Sequence, residues 1–278
     1  MMKMLCLRSY LIVILVFNVL FLQSQKFEIA TFNIQNLGKS KMAKVAVVDT
    51  LVAIVKQFDI VAVQEISDVE NKTALAFLKA INASGEKYKM ICSPRTGQQP
   101  DDIKSAEQYA FYFDSKTVKL LAAKLYPDKD DDFQREPYIA TFMRKADSLK
   151  FVLCTIHTAP DRAVAEIAAL EKVALWIKSN MSNADNVLFC GDFNASCSYA
   201  SDSELDKLSI RKKPYVWIVP DDADTNLAKK KCAYDRFVAN ERLYPYIINW
   251  YVHRAFKSKT VSDHWPVVLE LSKSKFNK

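Results

Sequence analysis

Val187-Leu-Phe-Cys-Gly-Asp-Phe-Asn194 is the stretch on which the reading of this chain turns. A short apolar run of strand-forming type leads straight into an acid and an amide, Asp192 and Asn194. Their spacing of two lets both side chains leave one face of an extended segment. Core packing needs neither group. Other apolar runs end in the same way. Ile29-Ala-Thr-Phe-Asn33 closes on an amide, Ile60-Val-Ala-Val-Gln-Glu65 on an acid, and Phe151-Val-Leu-Cys-Thr-Ile-His157 on an imidazole. Cys232-Ala-Tyr-Asp235 puts an acid at the head of a strand, and Ser262-Asp263-His264 stands just before the last one. Charged groups at the mouths of apolar strands cost desolvation unless they are paired or hold a cation. A single case would be an ordinary side-chain turn. Six read as one site at one sheet edge. Gly191 is read as the position that lets a phosphate or metal approach the backbone.

Working outward, strand-like runs are expected at 27–33, 59–65, 109–113, 138–142, 150–157, 186–191, 234–238 and 265–271. Helical periodicity covers 41–58 and 161–180, the second after Pro160 with Asp161 as its N-cap. Helices alternate with strands early and strands crowd together later, which predicts mixed sheets covered by helices rather than a doubly wound parallel fold. The chain has 278 residues, is 50% hydrophobic and 26% charged, and shows no repeat or linker. That excludes disorder and a disulfide miniprotein, and predicts one domain over 26–272 followed by a basic tail at 273–278.

Lys3 and Arg8, then an apolar run from Leu11 to Leu22, then Ser24 read as a secretory signal peptide over 1–24. The run is short for a bilayer span, although an uncleaved anchor is the alternative. The mature chain is therefore expected to be exported (secreted, or periplasmic in a bacterium) without stable membrane association. Cys92, Cys154 and Cys190 lie in apolar runs and read as buried thiols. Cys197 and Cys232 lie in polar loops, where a disulfide and two free thiols both fit. Lys and Arg exceed Asp and Glu by 39 to 32, which suits a polyanionic partner. The triplets Arg211-Lys-Lys213 and Lys229-Lys-Lys231 either contact phosphates or are simply solvated. His253, with no acid beside it, reads as structural or exposed.

The order and spacing of Thr31-Phe-Asn33, Val63-Gln-Glu65, His157, Gly191-Asp-Phe-Asn194, Asp235 and Ser262-Asp263-His264 resemble the endonuclease/exonuclease/phosphatase superfamily. Glu107-Gln-Tyr109, Arg135-Glu-Pro137, Asn194-Ala-Ser-Cys-Ser-Tyr199, Asp224-Thr225 and Cys232-Ala-Tyr-Asp-Arg236 narrow the resemblance to secreted deoxyribonuclease I. The resemblance implies a four-layer α/β/β/α sandwich of two packed mixed sheets flanked by helices. It implies a disulfide between Cys197 and Cys232. It also implies hydrolysis of DNA, duplex or single-stranded, by a divalent-metal-dependent endonuclease of little sequence specificity.

In that reading Asn33, Glu65 and Asp263 supply hard oxygen ligands for Mg²⁺, which Mn²⁺ can replace. No Cys/His cluster has zinc spacing. His157 and His264 suit acid–base work near neutrality, and the sequence does not say which is the acid. By resemblance, Glu107 orients His157, Asp235 orients His264, Asp192 positions or deprotonates water, and Asn194 donates to a phosphate oxygen. Substrate contacts are expected from Arg135, Tyr109 and Gln35. The family carries arginines where this chain has Gln35 and Ser67, and a tyrosine where it has Ser105. Fewer cations for a narrow groove predict weaker duplex binding. Ca²⁺, structural or stimulatory, would suit the acidic run Asp128-Lys-Asp-Asp-Asp132 or the loop at Asp224 and Thr225. Rival readings keep the site but cut a lipid or inositol phosphate, or keep only the fold as a non-catalytic DNA-binding or toxin-like subunit.

Overall fold

The computed structural model describes residues 26–85, 87–97 and 106–272. The expected signal segment at 1–24, the basic tail at 273–278 and Ser105 lie outside them. No helix among the described residues is long and apolar enough to cross a membrane.

The alternation of side chains along each strand sorts the core into three slabs. In β1 (Phe27–Leu37), Phe27 and Ile29 face one way and Ala30 and Phe32 the other. In β4 (Gln108–Asp114), Phe111 and Phe113 share the face of Ile29, while Tyr112 shares that of Phe32. Strands with apolar residues on both faces must be covered on both. One sheet runs β11 (Ile247–Val252), β12 (Val267–Leu271), β1, β2 (Ile60–Ile66), β4, β3 (Tyr88–Cys92). The other runs β5 (Val118–Leu125), β6 (Tyr138–Arg144), β7 (Lys150–His157), β8 (Val187–Asp192), β10 (Asp235–Asn240), β9 (Tyr215–Trp217). Phe111, Phe142, Phe151, Leu188, Phe237 and Leu269 fill the space between the two sheets.

The helices α1 (Lys39–Met42), α2 (Val45–Val55) and α3 (Thr73–Ile81) belong with the first sheet, where Leu51, Ile54 and Phe77 pack on Phe32 and Val63. Helix α4 (Ala163–Asn180) closes the other side, setting Ile167, Leu170 and Val173 on Val152, Cys154 and Phe189. A short α5 (Asp202–Leu205) follows β8. The order is helices, sheet, sheet, helix, which is the four-layer sandwich that the family resemblance implies.

Several local expectations change. The helix expected over 41–58 is broken at Ala43 and Lys44. Lys41 turns inward instead, giving its ammonium to the carbonyls of Ile34, Gln35 and Val261. Asp161 does not cap α4, because Arg162 occupies the N-cap without a side-chain bond. Edge strands β3, β5, β9 and β11 were not expected. Gly191 has φ of 141°, and a Cβ there would meet the Ile156 carbonyl oxygen at 1.9 Å. The neighbouring β7 backbone fills the space a side chain would need.

Each sheet has one parallel pair, β1 with β2 and β7 with β8. The carboxyl ends of all four strands open at the same end of the sandwich. The pairing of β1 with β2 breaks between Asn33 and Leu37, and that of β2 with β4 between Val63 and Ile66. Such irregularities re-aim side chains at a rim. Gln64 ties the sheets together there, donating to Thr155 Oγ1 at 2.8 Å and Thr31 Oγ1 at 3.1 Å.

Candidate active site

The rim gathers residues from five strands and two loops around one carboxylate oxygen. Asn33 Nδ2 donates to Asp192 Oδ2 at 2.9 Å and to Glu65 Oε1 at 2.7 Å. His157 Nε2 stands 3.7 Å from the same Asp192 oxygen, and His264 Nε2 stands 3.6 Å from it. Behind each imidazole lies an acid. His157 Nδ1 meets Glu107 Oε2 at 2.9 Å, and His264 Nδ1 meets Asp235 Oδ2 at 2.8 Å. The strand register makes this possible, since Asp192 is paired with both His157 and Asp235 across β7, β8 and β10.

Charge holds the imidazoles protonated. Burial opposes an imidazolium at His157, but Glu107 and Asp192 outweigh it and lift its pKa to about 9. At His264 burial is again overcome, by Asp235 and Asp192, which raise the value to about 10. Burial alone would push Asp192 up, yet His264, His157 and the Asn33 amide bring it below the usual carboxylate range. Each of the two rings is thus a donor from both nitrogens at neutral pH, with Nδ1 turned to its own acid.

The loops that complete the site are stapled. Asp192 Oδ1 accepts the Asn194 amide N–H at 3.0 Å, and Asn194 Nδ2 donates to the Thr158 carbonyl at 2.9 Å. A disulfide joins Cys197 to Cys232, linking the segment after Asn194 to the one that enters Asp235. Thr225 Oγ1 receives the backbone N–H groups of Tyr234 and Asp235. Ser262 Oγ donates to the Asn33 carbonyl at 2.7 Å and accepts from His264 N at 3.1 Å, which hangs the C-terminal histidine on β1.

Residues 30–264 match the family model described as Endonuclease/Exonuclease/phosphatase family. The chain belongs to that family. Deoxyribonuclease-1-like 1 of Chlorocebus aethiops is 34% identical over 275 residues, covering 94% of this chain and 89% of the relative. Human deoxyribonuclease gamma is 31% identical, covering 89% and 86%. These relatives place the chain on the deoxyribonuclease I branch. Among solved structures, the human Nocturnin catalytic domain superposes with TM-score 0.63 at 14% identity, covering 89% of this chain and 93% of that one. A family member from Bacteroides thetaiotaomicron gives 0.63 at 16% identity, covering 90% and 95%. Those two share the fold.

Within this family member the structure brings together Asn33, Glu65, Glu107, His157, Asp192, Asn194, Asp235 and His264. Asp263 is close enough for its charge to bear on His264 and Lys41, but no hydrogen bond joins its carboxylate to Asn33 or Glu65. The carboxylates of Glu65 and Asp192 share one amide and face each other, and Asp235 Oδ1 is buried without a partner. An oxygen-rich, anionic set of this kind fits a hard divalent cation. Asp192, Asp235 and His264 also lie within ligand reach of one another. The 2.8 Å bond between His264 and Asp235 makes those two a proton-sharing pair instead.

Tyr109 is corrected as a substrate contact, and the structure adds protein partners for Arg135 and for the acidic run. Tyr109 is 1% exposed and cannot touch substrate; its hydroxyl accepts the His157 backbone N–H at 2.9 Å and so seats that residue. Arg135 turns its guanidinium onto Glu107, Nη2 to Oε1 at 2.9 Å, with Nε and Nη1 buried and unpaired. Its main electrostatic role lies behind His157. The acidic run at 128–132 closes on cations of the protein itself, with Lys172 Nζ 3.0 Å from Asp130 and 2.7 Å from Asp132. At the other loop Asp224 pairs with Arg254, and Thr225 is committed to backbone. Arg211 is likewise taken up, by Asp221 and the face of Trp217, whereas Lys229, Lys230 and Lys231 are exposed. Gln35 sits on the rim with φ of 50°, its N–H capping Asn33 Oδ1 at 2.9 Å. His253 packs edge-on to Phe58, as a structural residue does. A separate cavity of about 730 Å³ at the opposite end of β1, lined by Lys26, Asp59 and Arg144, shares no residue with the site.

Proposed function

We propose that the chain is an exported endonuclease that hydrolyses DNA phosphodiester bonds with little sequence preference, using a divalent cation and two histidine–carboxylate pairs. The observation that carries this is the near-equal approach of His157 and His264 to one oxygen of Asp192, each backed by its own acid. Hydrolysis of a phosphodiester needs a proton taken from water and a proton given to the departing oxygen, on opposite sides of phosphorus. A ring held protonated can give the proton to the departing oxygen, Asp192, held ionised, can take the one from water, and the relatives named deoxyribonucleases give the substrate class. Duplex and single-stranded DNA are both expected substrates, the duplex bound more weakly because Gln35 and Ser67 place no cation in the groove.

Glu107 and Asp235 fix the Nδ1 protons inward and leave Nε2 of each ring toward the reacting group. Asp192, with Asn33 and Asn194 holding its two oxygens, orients the attacking water. The second amide hydrogen of Asn194 faces a phosphate oxygen. Asn33 and Glu65 on the β1–β2 pair, with Asp263 beside them, would hold Mg²⁺ or Mn²⁺. When bound, the ion supplies positive charge to the phosphate oxygens as negative charge builds there. Export follows from the reading of residues 1–24 and fits the disulfide.

Supercoiled plasmid, single-stranded DNA, sphingomyelin and inositol phosphates are each incubated with the purified mature chain and Mg²⁺, with and without EDTA. The reading expects both DNAs to be cut and EDTA to stop cutting. Intact DNA alongside released lipid or inositol headgroups would overturn it.

A further inference from the structure

Glu166 is fully buried in the first turn of α4, makes no hydrogen bond to either histidine pair, and its sequence neighbourhood gives it no assigned task. A carboxylate there needs strong local compensation. It finds that in two backbone amides from different loops. Oε1 accepts Gln134 N–H at 3.1 Å, and Oε2 accepts Ala159 N–H at 3.3 Å. Both loops lead directly to His157. Gln134 precedes Arg135, whose guanidinium grips the Glu107 carboxylate that orients the imidazole. Ala159 lies two residues beyond His157, next to Thr158, whose carbonyl holds the Asn194 amide and whose hydroxyl holds the Phe193 carbonyl.

We propose that Glu166 is a positioning residue, its two oxygens clasping the Gln134 and Ala159 amides so that the acid side and the backbone side of His157 stay in register. This rests on the hydrolase reading above. A carboxylate accepts strongly on both oxygens, whereas a carboxamide must present its NH₂ to one of the two amides and a protonated acid offers one of them only a weak hydroxyl acceptor. The clasp therefore needs the ionised form. Burial pushes the Glu166 pKa up to about 7, against the opposing pull of the two amides and of Arg162 and Arg135. The charged groups around it are Arg162 at the start of its own helix and Arg135 from the loop before β6. The Tyr109 phenol from β4 faces it too and is kept neutral by burial. None of these can replace it as an acceptor for the two amides, and Arg162 is occupied with the Asp131 and Asp132 carbonyls.

The test reads the amides directly, without DNA. Hydrogen exchange by NMR, corrected for intrinsic rates, gives protection at Gln134 and Ala159 in the wild type and in Glu166→Gln from pH 6 to pH 8.5. Both amides are expected to lose protection together as pH falls through about 7 in the wild type, and to be unprotected at every pH in the variant. On DNA with Mg²⁺, kcat of Glu166→Gln is expected to fall about 10- to 100-fold with KM unchanged, the scale of a displacement of about 1 Å near the chemistry. The acid limb near pH 7 should vanish in the variant. Wild-type protection that ignores pH across this window overturns the proposal, even if the variant fails to fold. So does unchanged protection in a folded Glu166→Gln. If the exchange pattern holds and wild-type protein leaves DNA uncut, the nuclease reading fails while the clasp stands.

Discussion

Replacing Glu107 by Gln changes one atom and should disable the enzyme. The carboxylate bridges two cations, His157 Nδ1 at 2.9 Å and Arg135 Nη2 at 2.9 Å. A carboxamide can accept from one of them and must aim N–H at the other. His157 also loses its nearest anion. A unit charge pair at about 4 Å with an effective dielectric near 20 is worth about 4 kcal/mol, or about three pKa units. Losing even part of that takes away the carboxylate support that offsets burial and holds His157 at about 9. With orientation lost as well, a general acid–base contribution of about 10²–10⁴ is at stake, and we expect kcat to fall about 10³-fold with KM within threefold. The assay is single-turnover cleavage of a labelled duplex with Mg²⁺, beside thermal melting to show that the variant folds. Adding Arg135→Met should cost little more, because it removes the cation that clashes with the new amide. A folded Glu107→Gln that keeps more than a tenth of wild-type kcat would refute the reasoning.

Asp68 anchors the entry to α3 by accepting N–H groups of Glu70, Lys72 and Thr73 and the Thr73 hydroxyl. Burial alone would raise its pKa, but those bonds lower it to about 2. A depressed carboxylate stabilises the fold above its unfolded pKa of about 3.9 and loses that contribution as pH falls toward its folded value. Asp68→Asn should therefore cost about 1–2 kcal/mol in urea melts at pH 7, with the gap to wild type closing between pH 4 and pH 2. A gap that widens on acidification would contradict this. Gly191→Ala forces a Cβ into the Ile156 backbone at positive φ, so soluble folded yield should collapse. A folded variant of wild-type stability would show that the strand contact is not rigid.

How much of this was legible depended on where the physics was local. Asp192 with Asn194, or His157 at the end of an apolar run, announces itself because a charged group at a strand mouth has no packing reason to be there. The central strands were equally plain, since runs such as 60–63 and 188–190 are apolar on both faces. Edge strand β5 was invisible: Val118-Lys-Leu-Leu-Ala-Ala-Lys-Leu125 is largely exposed and lacks a period of two. The partners of Tyr109 and Arg135 are not legible in sequence, because direction depends on residues such as Glu107 that only the fold brings near. Lys41 and Glu166 look like surface residues of amphipathic helices. What makes them internal is a set of backbone carbonyls and amides from distant loops, and no side-chain pattern encodes those.

The account stands on His157 and His264 serving one phosphorus centre through Asp192. The most direct measurement is kcat/KM for His157→Ala, His264→Ala and the double variant on one DNA substrate with Mg²⁺, each checked for folding. If the two rings act on one reaction, each single change costs about 10³-fold or more, and the double is worse by about tenfold at most, since residues acting as a unit are not additive. Losses that multiply in the double variant, or a single histidine that can be removed without effect, would contradict it.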